Sequence, residues 1–301
     1  MKCGYLNESA GDGFAVIPEN KDYRFQFLFM KYQGIYFMKK TLIALAVAAS
    51  AAVSSLPAIA ANGGWGDAGG DFNLGGDIFV DLHKDVWEVY TGTSANFESA
   101  VESGTKEITL SVTKNIPVLG LRSIKVFNGG LGLTPQIKYG DDSNPVTDLT
   151  FSNSKTELTL TVKNKSNDQK IGALKTKMYA ASLVSYKNPE GSSYTGNTAP
   201  TIAPSAGDAF YGGLPSKSAE VGSGTTNNIV SLIPDLRDHF DDQGQGAAGA
   251  GARKFDDATK TFSAIYASGI MAGESTTITL DAPIAENTTW TAQLPITVSY
   301  Q

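Results

Sequence analysis

The chain has 301 residues, a net charge of −6 and a single cysteine, Cys3. A negative net charge without a cluster of Lys or Arg argues against nucleic-acid binding. One cysteine excludes both an intramolecular disulfide and a cysteine-based zinc site, so packing alone must hold the fold together.

The N-terminal region has the layout of a secretory signal peptide that begins at Met38. Two lysines are followed by an Ala-rich apolar run, and a small-x-small cleavage site ends at Ala60. The apolar run is shorter than a bilayer span requires, which argues against a membrane anchor. We therefore predict that 1–37 is a misassigned N-terminal extension and that 38–60 is a signal peptide.

The first strand predicted after this signal runs through the sequence FNLGGDIFV. Every second residue is apolar or Gly, which is typical of a strand with one buried face. The Gly-rich lead before it offers nothing to pack against, so we expect residues 61–80 to leave their own domain and add a strand to another copy. The predicted donor residues are Phe72, Leu74, Gly76, Ile78 and Val80.

Short strands separated by polar turns follow, and this spacing favours an all-β sandwich. The run from Gly172 to Tyr186 fits either one long strand or two short ones. The other predicted strands lie within Lys106–Thr113, Glu157–Asn164, Ser275–Ile284 and Thr289–Gln301.

Residues from about 187 to 260 interrupt this rhythm with a composition rich in Gly, Ala, Ser, Pro and Asp. Within it, Asn227–Asp242 carries apolar residues at helical spacing, and Pro234 predicts a short or broken helix. We interpret the stretch as a large insertion between two strands. Insertions of this kind commonly carry binding function on a rigid scaffold.

Motifs for catalysis or metal binding are weak. Gly244, Gly246 and Gly249 fit G-x-G-x-x-G, but the strand and helix that a nucleotide site requires are missing. His239 stands among aspartates without a second histidine nearby, which is typical of a solvated polar face rather than a metal site. No G-x-S-x-G motif is present, and no carboxylate pair stands out. We predict no catalytic residue, no metal and no cofactor.

The C-terminal run has apolar side chains at every second position from Trp290 to Tyr300. An ordinary final strand explains this pattern. A second interpretation links it to the first strand: a sandwich that lacks one strand exposes an apolar groove, and a neighbour's residues 72–80 fill it. A head-to-tail contact that does not close then produces an open fibre.

Five stretches in order resemble the major subunits of enterobacterial fimbriae assembled by the chaperone–usher pathway. The chain is most similar to the thin flexible fibrillae of enterotoxigenic strains, in which the major subunit is itself the adhesin. The stretches are FNLGGDI, DVWEVYTGTSANF (Asp85–Phe97), FYGGL (Phe210–Leu214), SAIYASGIMAGES (Ser263–Ser275) and WTAQLPITVSY.

This resemblance implies an incomplete immunoglobulin-like β-sandwich over 81–301 that donor-strand exchange completes. It implies export through the periplasm to a fimbrium on the bacterial cell surface. The implied partners are identical subunits, a periplasmic chaperone, an outer-membrane usher and a host glycoconjugate receptor. The edge that a chaperone would recognise comprises Trp290, Leu294, Ile296, Val298 and Tyr300.

The resemblance also implies receptor binding in the insertion, beside the Tyr-Gly-Gly-Leu run. The candidates are Asp208, Ala209, Phe210 and Tyr211. An exposed ring can stack on a sugar, although core packing explains Phe210 equally well. We therefore predict a major subunit of an adhesive fimbria rather than an enzyme. A purely structural fimbrial or capsule-like subunit and a secreted β-sandwich glycan hydrolase are the alternatives.

Overall fold

The structure is a computed structural model of the chain. It describes residues 65–66, 78–80, 85–146 and 149–301, all within the unit Ala58–Gln301, and for 65–66 and 78–80 it describes backbone pairing alone. The predictions for residues 1–60 and for Phe72, Leu74 and Gly76 lie outside the described residues.

The described residues form an all-β fold, as the strand spacing predicts. The strands in chain order are β1 (Trp65–Gly66), β2 (Ile78–Val80), β3 (Trp87–Thr91), β4 (Glu107–Ser111), β5 (Ile116–Ser123), β6 (Phe127–Asn128), β7 (Pro135–Tyr139), β8 (Phe151–Ser152), β9 (Lys155–Asn164), β10 (Lys170–Lys187), β11 (Gly196–Ile202), β12 (Gly251–Ala252), β13 (Thr261–Ile270), β14 (Ser275–Leu280), β15 (Trp290–Ala292) and β16 (Ile296–Tyr300). One α-helix, α1 (Thr225–Leu232), and two 3₁₀ helices, Ser218–Glu220 and Pro234–His239, lie in the insertion.

The larger sheet is built around β10, which is one strand of 18 residues rather than two short ones. Its first part pairs with β9 on one side and β14 on the other, and its second part pairs with β11 and β13. Beyond β13 the order continues through β5 and β3. The alternating sequence of β9 gives the strand one face toward the core. Leu158, Leu160 and Val162 are buried on that face, and the residues between them are more exposed.

The smaller sheet has β16 at its centre. β7 pairs with it antiparallel on one side, and β2 pairs with it parallel on the other. Buried side chains of both sheets belong to one hydrophobic cluster, which includes Leu119 and Leu174 of the larger sheet and Ile137 and Val298 of the smaller one. Two sheets that share one apolar core are the sandwich that the sequence predicts.

The C-terminal run differs from the single strand that its alternation suggests. β15 pairs with β9 in the larger sheet, and β16 pairs with β7 in the smaller sheet. The residues between them include Pro295, which lacks the N–H that a continuous ladder needs. The chain therefore changes sheets at this point, while Leu294 keeps the alternation and stays buried.

The insertion begins and ends at one place in the larger sheet, and its strand β11 pairs with the other edge of β10. β10 and β13 are antiparallel neighbours up to the pair Lys187 and Thr261, so residues 188–260 connect two adjacent strand ends. Within this segment α1 ends at Leu232 and the 3₁₀ helix begins at Pro234, which confirms the predicted break. Apolar residues of both helices pack on one face of β10 and β13 as a second cluster, with Ile229 and Leu236 fully buried.

Across the described part of the chain, none of the helices has the length and apolar character needed to cross a bilayer.

Three buried hydroxyl groups join the two sheets and the insertion. The Tyr139 hydroxyl of β7 donates to Ser268 Oγ at 2.7 Å and lies 2.8 Å from the Tyr266 hydroxyl, both on β13. Tyr266 in turn donates to the Gly213 carbonyl oxygen at 3.0 Å. Burial raises the pKa of Tyr139 to about 12 and raises the pKa of Tyr266 well above its usual value. The cluster thus favours neutral phenols.

We expect Tyr139→Phe to lower the free energy of unfolding by about 1–3 kcal/mol, because it removes the buried hydroxyl that donates to Ser268 and contacts the Tyr266 hydroxyl. The unfolded phenol ionises near pH 10 and the folded one near 12, so this contribution is complete below pH 10 and is lost as pH rises through 12. Urea unfolding from pH 8 to 12 measures both effects. Tyr211→Phe, which alters an exposed ring, is the control; equal losses in the two variants would contradict the role of the cluster.

Candidate functional site

A large cavity opens between the β4 end of the sandwich and the segment that leads to β16. Its volume is about 1270 Å³. Small-molecule pockets usually measure about 300–1,000 Å³, and protein interiors are close-packed. The cavity is thus larger than a typical small-molecule pocket, is open to solvent and has a mixed polar and apolar lining. Its apolar lining includes Phe97, Ile108, Leu110, Ile284, Trp290 and Ala292.

Strand β4 presents one edge that lacks a partner within the described residues. Its other edge pairs with β14. Ile108 and Leu110 point into the core and line the cavity. The segment 92–106, which covers part of the cavity, contains no strand. A free edge beside an open cavity with apolar residues in its lining is a template on which a further strand can pair.

The predicted C-terminal edge is assembled as a buried strip. Leu294, Ile296 and Val298 are fully buried, whereas Trp290 and Tyr300 are only partly buried. The edge of β16 that faces away from β7 holds β2 of the same chain, with Ile78 opposite Ile296 and Val80 opposite Val298. Three residues of the predicted donor segment therefore lie on the predicted acceptor edge, in parallel orientation and within one molecule.

The receptor candidates divide into buried and exposed residues. Asp208, Ala209 and Phe210 are buried, and Tyr211 is 39% exposed. The Phe210 ring stacks on Tyr266 with 5.2 Å between centroids. It also meets Trp87 and Phe255 edge-on at 5.9 and 6.1 Å. Of the two interpretations of Phe210, the structure favours core packing, because this buried ring lies between the insertion and the sandwich.

Asp208 is committed to its own turn. Its Oδ2 accepts the Ser205 amide at 2.8 Å, and its carbonyl oxygen accepts Gln136 Nε2 at 3.0 Å. The Oε1 atom of Gln136 accepts the Gly207 amide at 3.0 Å. The buried Gln136 side chain thus holds the turn from β7, a role that no local sequence pattern signals because the partners are far apart in the chain.

The Phe210–Leu214 run attaches the insertion to the smaller sheet. Phe210 N donates to the Pro135 carbonyl at 2.7 Å, and the Tyr211 carbonyl accepts Ile137 N at 2.8 Å. Gly212 has φ +83°, and a Cβ there would overlap the Ile137 carbonyl oxygen. Phe210 itself has φ +62°, an unfavourable conformation for a bulky residue that its packing stabilises. The run serves as a clamp between insertion and sandwich.

Comparison with known proteins identifies the class of protein that carries this architecture. Residues 38–301 match the K88 fimbrial family, described as "Fimbrial, major and minor subunit", and the chain belongs to this family. It is 28% identical over 294 residues to K88 fimbrial protein AC of Escherichia coli. It is also 28% identical over 284 residues to the F41 fimbrial protein of Escherichia coli. Each alignment covers 87% of this chain and 100% of the relative.

Family membership confirms the resemblance that the sequence motifs indicate. The chain is a structural fimbrial subunit that polymerises with like subunits, and its place is the cell surface. The matching relatives are fimbrial structural proteins rather than enzymes.

We expect Gly212→Ala to destabilise the protein more than Gly191→Ala. Both glycines have φ near +85°, so both substitutions impose the same backbone strain, but only the Cβ at 212 meets another atom. The additional overlap predicts a difference of about 1–3 kcal/mol in the free energy of unfolding. Urea denaturation of both variants measures it. Equal losses would mean that the clamp tolerates a side chain and does not depend on close approach.

Proposed function

We propose that the chain is the major subunit of an adhesive fimbria and polymerises by donor-strand exchange. In this mechanism residues 72–80 of one subunit fill the open core of the next. The observation that carries the proposal is the cavity of about 1270 Å³ beside the free edge of β4. In this proposal a neighbour's strand of alternating side chains pairs with the free edge and fills the cavity, with its apolar face against Ile108 and Leu110.

The driving force is burial of apolar side chains. Phe72, Leu74, Ile78 and Val80 each contribute about 1.5–3 kcal/mol, which gives roughly 6–12 kcal/mol before ordering costs. A shift of one residue would turn Asn73 and Asp77 inward, so the register is strongly specified. The inserted segment thus has both affinity and a defined position.

The pairing of β2 with β16 is compatible with exchange between copies. Among the described residues of the single chain, Ile78–Val80 occupy the C-terminal edge in parallel orientation. Parallel pairing is slightly less stable per residue than antiparallel pairing. A neighbour's complete nine-residue segment buries more apolar surface than these three residues do. The proposal is therefore that Ile78–Val80 leave β16 when residues 72–80 insert beside β4 of the next subunit.

Export precedes this exchange in the proposed pathway. A signal peptide at 38–60 directs the chain to the periplasm, where a chaperone covers the groove along Trp290–Tyr300 until an outer-membrane usher replaces it with the next subunit. The incomplete sandwich, immunoglobulin-like in this proposal, supports the need for such a chaperone, because an open apolar groove promotes aggregation.

Receptor binding by the insertion forms the second part of the proposal. Tyr211 is the candidate that remains exposed, on a loop that the clamp holds rigidly. A rigid exposed phenol can stack on a sugar ring, and many copies along a fibre compensate for weak affinity at one site. The burial of Asp208 and Phe210 favours the alternative of a purely structural subunit, so this part depends on Tyr211.

Leu74→Asp is expected to abolish polymerisation, because it places a charge on the inserted face. Asn73→Asp adds the same charge on the opposite face and is the matched control, which should still form fibres. Electron microscopy and heat-stable ladders on denaturing gels measure assembly. Fibres of Leu74→Asp, or loss of fibres in both variants, would contradict the assigned donor strand.

A self-complemented monomer tests the groove directly. Moving residues 61–80 to the C-terminus through a short linker should give a stable monomer that needs no chaperone. On a glycan array, this monomer should lose at least tenfold in binding when Tyr211 becomes Ala, since one stacking contact is worth about 1–3 kcal/mol. Tyr194→Ala, another exposed tyrosine of the insertion, should retain binding. If no glycan binds the monomer, the structural alternative is favoured.

A further inference from the structure

One leucine in a glycine-rich loop is almost completely exposed to solvent. Leu131 is 90% exposed, the highest value among the exposed large apolar residues of the described chain. Isolated exposed leucines are common on protein surfaces. Leu131, however, has apolar neighbours: Leu133 and Val86 are partly buried against the core, and Ile124 is partly buried as well. We call Val86, Ile124, Leu131 and Leu133 the exit patch.

The exit patch is organised around Trp87. The indole Nε1 of Trp87 donates to the Leu133 carbonyl oxygen at 2.8 Å. Ile124 N donates to the Val86 carbonyl oxygen at 2.9 Å, one step beyond the pairing of Trp87 with Ser123. These bonds place Val86, Ile124 and Leu133 around Trp87 at the start of β3, and Leu131 precedes Leu133 by two residues in the chain.

The loop that carries Leu131 is held by its backbone. Gly129 N donates to the Lys260 carbonyl at 3.0 Å, and Gly130 N donates to the Phe255 carbonyl at 2.7 Å. A Cβ at Gly129 would overlap the Asp257 carbonyl oxygen, so glycine is required there. Leu131 therefore lies on a loop whose backbone is held by two hydrogen bonds. This restraint lowers the entropic cost of forming a contact through its side chain.

The position of the exit patch indicates which molecule would contact it. Val80 and Asp85 are five residue steps apart, at most about 17 Å when fully extended. If residues 72–80 lie in a neighbouring subunit, that subunit's body must stand within this short distance of the point where β3 begins. The surface around that point is the exit patch, whichever direction the inserted strand takes.

We propose that the exit patch is a contact surface for a second copy of this chain, with Leu131 inserted against the subunit that receives the donor strand. This inference depends on the donor-strand exchange proposed above. The contact supplements the inserted strand and restricts movement between successive subunits. It explains why a protein would hold an exposed leucine rigidly beside the root of its N-terminal extension.

Thiol reactivity tests the proposal on complete fibres. The only cysteine, Cys3, precedes the predicted cleavage site, so Leu131→Cys gives the exported subunit a single thiol. The rate of modification by a polyethylene-glycol maleimide should fall at least tenfold between the self-complemented monomer and the fibre. Tyr194→Cys, at a residue that is 51% exposed on the insertion, should react at the same rate in both.

The outcomes distinguish this inference from the proposed assembly mechanism. If fibres form and the thiol at 131 reacts equally in fibre and monomer, whether fast or slow in both, the contact is absent. If fibres form from Leu74→Asp subunits, the proposed donor strand is wrong, and the exit-patch contact loses the basis on which it was inferred. A second variant, Leu131→Ser, should still assemble but release subunits about ten to one hundred times faster in denaturant. An unchanged release rate would also overturn the contact.

Discussion

An edge of β4 that has no partner within the described residues, beside a large open cavity, is the constraint on which the proposed assembly depends. The two sheets bury one continuous core, yet a space of about 1270 Å³ remains between β4 and the segment before β16. Apolar residues in the lining of this space include Ile108 and Leu110 of β4. Membership of a fimbrial family gives the edge and the space a meaning, because fimbrial subunits polymerise with like subunits.

The insertion packs closely against the sandwich and contributes residues to its core. Phe210 stacks on Tyr266, and Tyr266 bonds through its hydroxyl to Gly213 and lies beside Tyr139 of the smaller sheet. One aromatic and hydroxyl cluster thus connects both sheets with the insertion. Residues that resemble a receptor motif therefore also determine how rigidly the exposed Tyr211 is presented.

The sequence predicts the strands well where one face alone is buried. The alternation in Glu107–Ser111 and Lys155–Asn164 identified both strands, and Pro234 identified the end of α1. The break at Pro295 was missed because the alternation of buried side chains continues through it. Phe210 was ambiguous because composition cannot distinguish a core ring from an exposed one. The bonds of Gln136 join residues that only the folded chain brings together.

The adjacency of Lys187 and Thr261 has an evolutionary consequence. The insertion begins and ends beside one pair of facing residues, Lys187 and Thr261. Its outer loops can therefore lengthen, shorten or change composition without shifting the register of any other strand. Such variation is expected to spare Gly212, Gly213 and Phe210, since these residues anchor the segment, and to concentrate in turns such as the one at Gly191. A vaccine epitope inserted at that turn would be presented on every subunit with the least risk to folding.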